Sequence, residues 1–330
     1  MIRWGVLSSA KIGVTHAIPA LSQAEGCDVI AIASRTAVKA HEIAARFGIP
    51  NAYDSYEALL ASDEIDAVYV PLPSSHHVEW SRKAAEAGKH VLCEKPMALQ
   101  ASDIDHLIAV RDANAVVVSE AMMAIYHPQW QLVRELIADG AIGALRQVTA
   151  SFAYHNVDPE NIRNRIDTGG GALPDIGCYP VATTRFATGA SALRAMAHIQ
   201  RDPAFGTDVH VAAIVDFGDF TLSMQVGTQM AWRQTASFHG ELGFIDVSAP
   251  FNAVPGHVET VRLFRDARQV PETFTFEDVN QYRLQFEAFA RAVTKTRSNA
   301  LLSLEDSRQT QLIIDALYRS AETNQWRPVT

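Results

Sequence analysis

Over residues 1 to about 120, short apolar runs alternate with segments whose apolar positions recur at helical spacing. The runs are Ile2–Leu7, Val29–Ala33, Ala67–Val70, His90–Cys93 and Val116–Val118, each of strand length. Between them, Ile12–Ala24, Ala37–Phe47, Tyr56–Ala61, Val78–Ala87 and Ala101–Asp112 read as helices. Such alternation predicts a parallel sheet with helices on both faces. Gly48 and Gly88 stand just past two of these helices, where a left-handed stop is favoured. Pro19 predicts a kink or a late start in the first helix.

The pattern changes after about residue 121. One helix fits Gln129–Asp139, and strand-like runs follow at Leu145–His155, Leu193–Gln200, Val209–Phe217, Phe220–Val226, Thr235–His239, Phe244–Val247, Thr260–Phe264 and Glu272–Phe276. Tight turns at Phe217–Phe220 and Gly240–Gly243 predict hairpins, hence a mostly antiparallel sheet. Helical patterns near Asn280–Thr294 and Leu304–Asn324 close the chain. The expected division is an α/β domain over 1–121 and an α+β domain over 122–330.

The length of 330 residues suits two domains with a core each. A net charge of -9, with no run of Lys or Arg, excludes a phosphate-neutralising nucleic-acid surface. Cys27, Cys93 and Cys178 are odd in number and widely spaced, so they predict no disulfide framework and point to a reducing compartment. The N-terminal run lacks a signal-peptide core, and no stretch approaches a membrane span, so the expected location is the cytoplasm. Twelve histidines show no tight ligand spacing, which predicts no catalytic metal.

Candidate chemistry lies where strands end, because open parallel sheets bind ligands outside their carboxyl edge. The first strand runs into Ser8-Ser9-Ala10-Lys11-Ile12-Gly13. A dinucleotide fingerprint has glycines at the positions of Ser8, Ala10 and Gly13. Here only the third is glycine, and small residues at the other two still allow a pyrophosphate to approach a helix N-terminus. An ordinary strand–helix turn is the competing reading. The second strand ends in Ser34-Arg35, where sites for NAD place a carboxylate. A hydroxyl and a guanidinium instead suit a ribose 2′-phosphate, which predicts NADP, with NAD as the alternative. After the run Ala67–Val70, the loop holding Pro71, Leu72, Ser74 and His77 borders the expected nicotinamide half. Glu94-Lys95-Pro96 follows the next strand and holds an ionisable amine on stiff backbone at the ligand position.

Taken with Gly169-Gly170-Gly171-Ala172-Leu173-Pro174-Asp175-Ile176-Gly177-Cys178-Tyr179, these segments resemble the Gfo/Idh/MocA oxidoreductases over nearly the whole chain. The resemblance is strongest to the NADP-linked branch of D-xylose dehydrogenases, dihydrodiol dehydrogenases and glucose-fructose oxidoreductase. It implies a Rossmann domain and a second domain whose open-faced sheet forms a homodimer interface. A cis peptide is expected between Lys95 and Pro96. The family's catalytic lysine maps onto Lys95, its acid/base tyrosine onto Tyr179 and a nearby aspartate onto Asp175. Ile125 stands where the family commonly has arginine.

The chemistry implied is hydride transfer between nicotinamide and a sugar or cyclic polyol, with Lys95 and Tyr179 sharing the hydroxyl proton. Asp175, four residues before Tyr179, shares its face if the segment is helical. It is expected to hold a substrate hydroxyl or Lys95. Asn161 and Arg163 are candidates to meet sugar hydroxyls, and Glu94 to support the cofactor amide. The triple glycine reads as a turn before a helix. The reaction site is expected at the junction of the two domains. Alternatives are a non-catalytic NADP-binding regulator and a ping-pong enzyme with tightly held cofactor.

Overall fold

Six parallel strands form the first sheet of the computed structural model, which describes residues 1–253, 256–265, 270–295 and 301–330. The strands are β1 (Ile2–Leu7), β2 (Cys27–Ala33), β3 (Asn51–Tyr53), β4 (Ala67–Val70), β5 (His90–Glu94) and β6 (Val118–Ala121). Their order is β3-β2-β1-β4-β5-β6, the Rossmann order, in which the chain reverses direction across the sheet between β1 and β4. Val68, Val70, Val91 and Cys93 face one core, and Trp4, Val6, Tyr69 and Leu92 face the other. Helices on both faces explain why these strands read as continuous apolar runs.

Pro19 acts as predicted. A π-helical turn, Gly13–Ala17, gives way to an α-helical turn, Ile18–Leu21, with Pro19 at its start. Proline has no N–H to continue the α ladder. Across that step the Ile18 N–H bonds to the Gly13 carbonyl instead, five residues back. Gly48 and Gly88 take φ of 68° and 73°, the left-handed conformation expected of them. The three-residue strand β3 was not predicted, because it is too short to make an apolar run.

The first compact unit comprises Met1–Met123 together with Tyr282–Arg308. A division at residue 121 does not anticipate this return. Its cause is packing: Phe286 and Phe289, on helix Gln281–Val293, lie against Trp4 with ring centroids 5.3 and 5.0 Å away. All three are fully buried. A helix whose apolar face fits Trp4 is stabilised there by about 1.5–3 kcal/mol for each large side chain removed from water.

The second unit, Ala124–Gln281 with Gln309–Thr330, is built on a nine-stranded sheet. Its strands are β7 (Leu145–His155), β8 (Arg194–Arg201), β9 (Asp208–Asp216), β10 (Thr221–Gly227), β11 (Gln229–Gly240), β12 (Phe244–Val247), β13 (Val258–Phe264), β14 (Glu272–Glu277) and β15 (Arg327–Pro328). All pairings are antiparallel except that of β7 with β10. Both predicted hairpins are present, closed by Phe217 N–H to Phe220 O at 3.0 Å and Gly240 N–H to Gly243 O at 2.8 Å. Leu222, Met224 and Val226 are buried, whereas Thr221, Ser223 and Gln225 between them are more exposed. One face is therefore core, and helices Pro128–Ala138 and Cys178–Thr188 accompany it. The other face is open, polar on β7 and β10 at Gln147, Thr149, Ser223 and Gln225, with Ile214 exposed on β9. β11 begins six residues earlier than its apolar run, because Met230–Arg233 is an exposed, irregular stretch with no alternation to read.

Candidate active site

The turn after β1 carries its strain at Ser8, whose φ of 131° is a conformation natural to glycine. Its hydroxyl compensates: Ser8 Oγ donates to the Pro71 carbonyl at 3.2 Å and accepts from the Ala10 N–H at 3.2 Å. Val14 N–H is bonded to Ala10 O, so the N–H groups of Lys11, Ile12 and Gly13 stand at the open start of a helix. That is an anion-binding arrangement. Ser9 Oγ lies 3.3 Å from Ser34 Oγ, joining this turn to the end of β2. Beside it Arg35 is exposed and enters no ion pair among the described residues. The group fits the diphosphate and 2′-phosphate of a dinucleotide: amides in front, a hydroxyl pair beside them and one available guanidinium.

At the end of β5 the Lys95–Pro96 peptide is cis. Three buried side chains surround this turn. Tyr69 Oη donates to Glu94 Oε1 at 2.6 Å. Glu120 Oε1 accepts from the Met97 N–H at 2.9 Å. His77 Nδ1 lies 2.7 Å from the Pro96 carbonyl, and its Nε2 lies 2.7 Å from the Leu72 carbonyl. Burial pushes Tyr69 well above the ordinary tyrosine range, with Glu94 adding to it, so the phenol keeps its proton as donor. Burial also raises Glu120, against the Ser307 hydroxyl, the Met97 amide and the Lys95 cation. It lowers His77, and Lys95 acts the same way. His77 is thus enclosed beneath the loop, with both nitrogens facing main-chain carbonyls, while Ser74 and Leu72 are partly exposed above it. Glu94 is buried at the strand end, and Lys95 is partly exposed.

In the second unit, Asp175 and Tyr179 lie on one continuous helical segment, a π turn over Leu173–Gly177 followed by the α-helix Cys178–Thr188. Asp175 Oδ2 accepts from Tyr154 Oη at 2.6 Å and from Arg163 Nε at 2.9 Å. Burial, then Asp175, pushes Tyr154 far above its usual range, and Asp175 raises Arg163. Both therefore stay protonated as donors. Arg163 spends its Nε–H on Asp175, and Asn161 caps the short 3-10 turn that holds it by accepting from the Arg163 N–H at 3.1 Å. Tyr179 is buried against Phe152 and Phe251. Cys178 is buried and its thiol faces main-chain carbonyls, in keeping with a packing role.

The triple glycine is explained by close approach. A Cβ on Gly170 would collide with the Arg163 carbonyl, and one on Gly171, at φ 137°, with the Asp208 carboxylate. Asp208 itself accepts from the Leu173 N–H at 2.7 Å and from Tyr318 Oη at 2.8 Å. It anchors the start of the helix that carries Asp175 and Tyr179. Neither Tyr154 nor Asp208 was singled out from the sequence. Tyr154 had a signal: period two in β7 puts it on the face of Val148, Ala150 and Phe152, a hydroxyl on a buried side.

Among the described residues, no cluster of His, Cys, Asp and Glu could hold a metal ion, and no helix is long and apolar enough to cross a membrane. Residues 2–122 match an oxidoreductase family with an NAD-binding Rossmann fold, and residues 130–246 match the GFO/IDH/MocA C-terminal domain. The chain is 40% identical to an uncharacterized oxidoreductase of Rhizobium meliloti, over 100% of this chain and 99% of that one. It is 36% identical to the D-xylose 1-dehydrogenase (NADP(+)) 2 of Haloferax volcanii, over 97% of each. Among solved structures, a 3-ketoreductase from Actinomadura kijaniata, in complex with NADP and TDP-benzene, superposes with a TM-score of 0.89 at 33% identity, over 97% of each chain.

Proposed function

Because the chain belongs to the Gfo/Idh/MocA oxidoreductase family, we propose that it is an NADP-dependent enzyme that moves hydride between nicotinamide and a hydroxyl-bearing carbon of a sugar or cyclic polyol. The observation that carries the cofactor choice is Ser34-Arg35 at the end of β2, with the Arg35 guanidinium exposed and in no ion pair among the described residues. D-xylose dehydrogenase and 3-ketoreductase relatives, whose substrates are sugars or sugar nucleotides, support the substrate class.

The cofactor supplies the hydride chemistry. Main-chain N–H groups of Lys11, Ile12 and Gly13 hold its diphosphate, flanked by Ser8, Ser9 and Ala10. Ser34 and Arg35 hold the 2′-phosphate. Pro71, Leu72 and Ser74 border its nicotinamide half, supported from beneath by His77, and Glu94 backs the turn. Lys95 and Tyr179 handle the substrate hydroxyl proton as the carbon–hydrogen bond is broken or made. Asp175, fixed by Tyr154 and Arg163, orients the substrate hydroxyls, with the outer N–H groups of Arg163 as further donors. A homodimer formed through the open face of the second sheet completes the proposal.

A panel of aldoses, inositols and dihydrodiols, scored for NADP reduction by the purified protein, tests the reading. Lys95→Ala and Tyr179→Phe should each lower kcat by about 10²-fold or more while cofactor binding is retained. Near-normal turnover in either variant removes that residue from the mechanism. Binding of NADP with no turnover across the panel would favour the regulator.

A further inference from the structure

The carbonyl of Pro96 and the N–H of Met97 belong to one peptide group, and a different buried side chain holds each end. His77 reaches the oxygen from the start of helix His77–Glu86, at 2.7 Å. Glu120 reaches the N–H from β6, at 2.9 Å. His77 is 1% exposed and Glu120 3%, so neither contact competes with water. Burying a carboxylate and an imidazole beside one peptide is costly unless both are satisfied. The gripped peptide starts one residue after Lys95, and His77 also faces the Leu72 carbonyl at 2.7 Å, tying the same turn to the loop after β4.

Resting on the reading of Lys95 as a catalytic group, we propose that His77 and Glu120 are its positioning residues, acting together through the Pro96–Met97 peptide. A planar peptide held at oxygen and hydrogen has no freedom to rotate, and with it is fixed the main chain from which the lysine projects. Held at one end only, it pivots. The two side chains therefore act as a unit: losing one forfeits most of what both provide. Carbonyl oxygens only accept, so a neutral imidazole can bond Pro96 or Leu72 but not both, and the ring donates to both only as the imidazolium.

The experiment is a double-mutant cycle on the full chain with His77→Ala and Glu120→Ala, reading kcat and NADP affinity separately. Each single variant should lose about tenfold or more in kcat, the Glu120 variant should keep its NADP Kd within about threefold, and the double variant should fall little below the worse single in kcat. Glu120→Gln, which keeps an acceptor for the Met97 N–H, should recover most of the loss, and His77→Gln part of it. These conservative variants also serve if an alanine variant fails to fold. Folded variants with kcat within about twofold of the parent, or losses that simply multiply, would overturn the proposal. Hydrogen exchange at the Met97 amide separates this from failure of the enzymatic reading, since it needs no turnover. Exchange about tenfold faster in His77→Ala, whose side chain does not touch that N–H, supports the shared grip; unchanged exchange there sinks it.

Discussion

Tyr154 Oη donates to Asp175 Oδ2 at 2.6 Å, the same oxygen that accepts from Arg163 Nε. Two donors from different segments, β7 and the loop that precedes the triple glycine, thus fix one carboxylate on the helix that also bears Tyr179. A hydrogen bond to a charged acceptor contributes about 1.5–3 kcal/mol. Tyr154→Phe keeps the ring and removes only that bond. It should lower kcat/KM by about tenfold through loss of orientation at Asp175, and leave NADP affinity unchanged. Steady-state kinetics with saturating NADP would check this, and full activity in the phenylalanine variant would show that Arg163 alone holds the carboxylate.

Arg35 governs the choice between cofactors in the proposed site. Its guanidinium is exposed at the end of β2, beside the Ser9–Ser34 hydroxyl pair. Charge-assisted bonds to a 2′-phosphate would be lost in Arg35→Ala, while a cofactor without that phosphate never makes them. The NADP KM should rise by about tenfold or more, with the NAD KM within about twofold of the parent. Equal effects on both cofactors would mean that Arg35 is an ordinary surface arginine.

Strands and helices of the first sheet were legible because two-sided burial writes itself as unbroken apolar runs, as at Ala67–Val70 and Val91–Cys93. Lys95 and the Ser34-Arg35 pair were legible because they sit where such runs stop. Contacts between residues distant in sequence were not. Glu120 meets Met97 across 23 positions, Asp208 meets Leu173 across 35, and Phe286 reaches Trp4 from the far end of the chain. No local period encodes such pairings; they follow from which elements the finished fold brings side by side. His77 shows the same gap in reverse, since its sequence marked it as a loop histidine near a cofactor and its burial assigns it to the framework beneath.

Ser8 holds a glycine's conformation with a serine's hydrogen bonds. A non-glycine residue at φ of 131° costs about 1–3 kcal/mol. The two bonds of its hydroxyl, to Pro71 and from Ala10, offset part of that. Ser8→Ala keeps the strain and loses both bonds; Ser8→Gly loses the bonds and the strain together. Urea unfolding should therefore rank the glycine variant above the alanine variant by about 1 kcal/mol or more. The reverse order would show that the backbone at this position carries too little strain to outweigh the extra chain freedom of glycine. Ser8→Gly also frees the Ala10 N–H, so NADP affinity should hold or improve in that variant.

His127 makes the second unit sensitive to acid. The ring is fully buried, its Nδ1 accepts the Gln129 N–H at the start of helix Pro128–Ala138, and burial pulls its pKa from an ordinary 6.5 to about 4. The unfolded chain therefore takes up a proton near pH 6.5 that the folded chain refuses until about pH 4. Stability from this group is complete above pH 6.5 and declines as pH falls to about 4, by about 2–3 kcal/mol in all. His127→Asn keeps an acceptor for the helix cap and carries no titration. The parent should lose stability relative to this variant across that interval, by urea unfolding at a series of pH values. A difference that stays constant from pH 7 to 4 would show that His127 does not titrate apart from the rest of the fold.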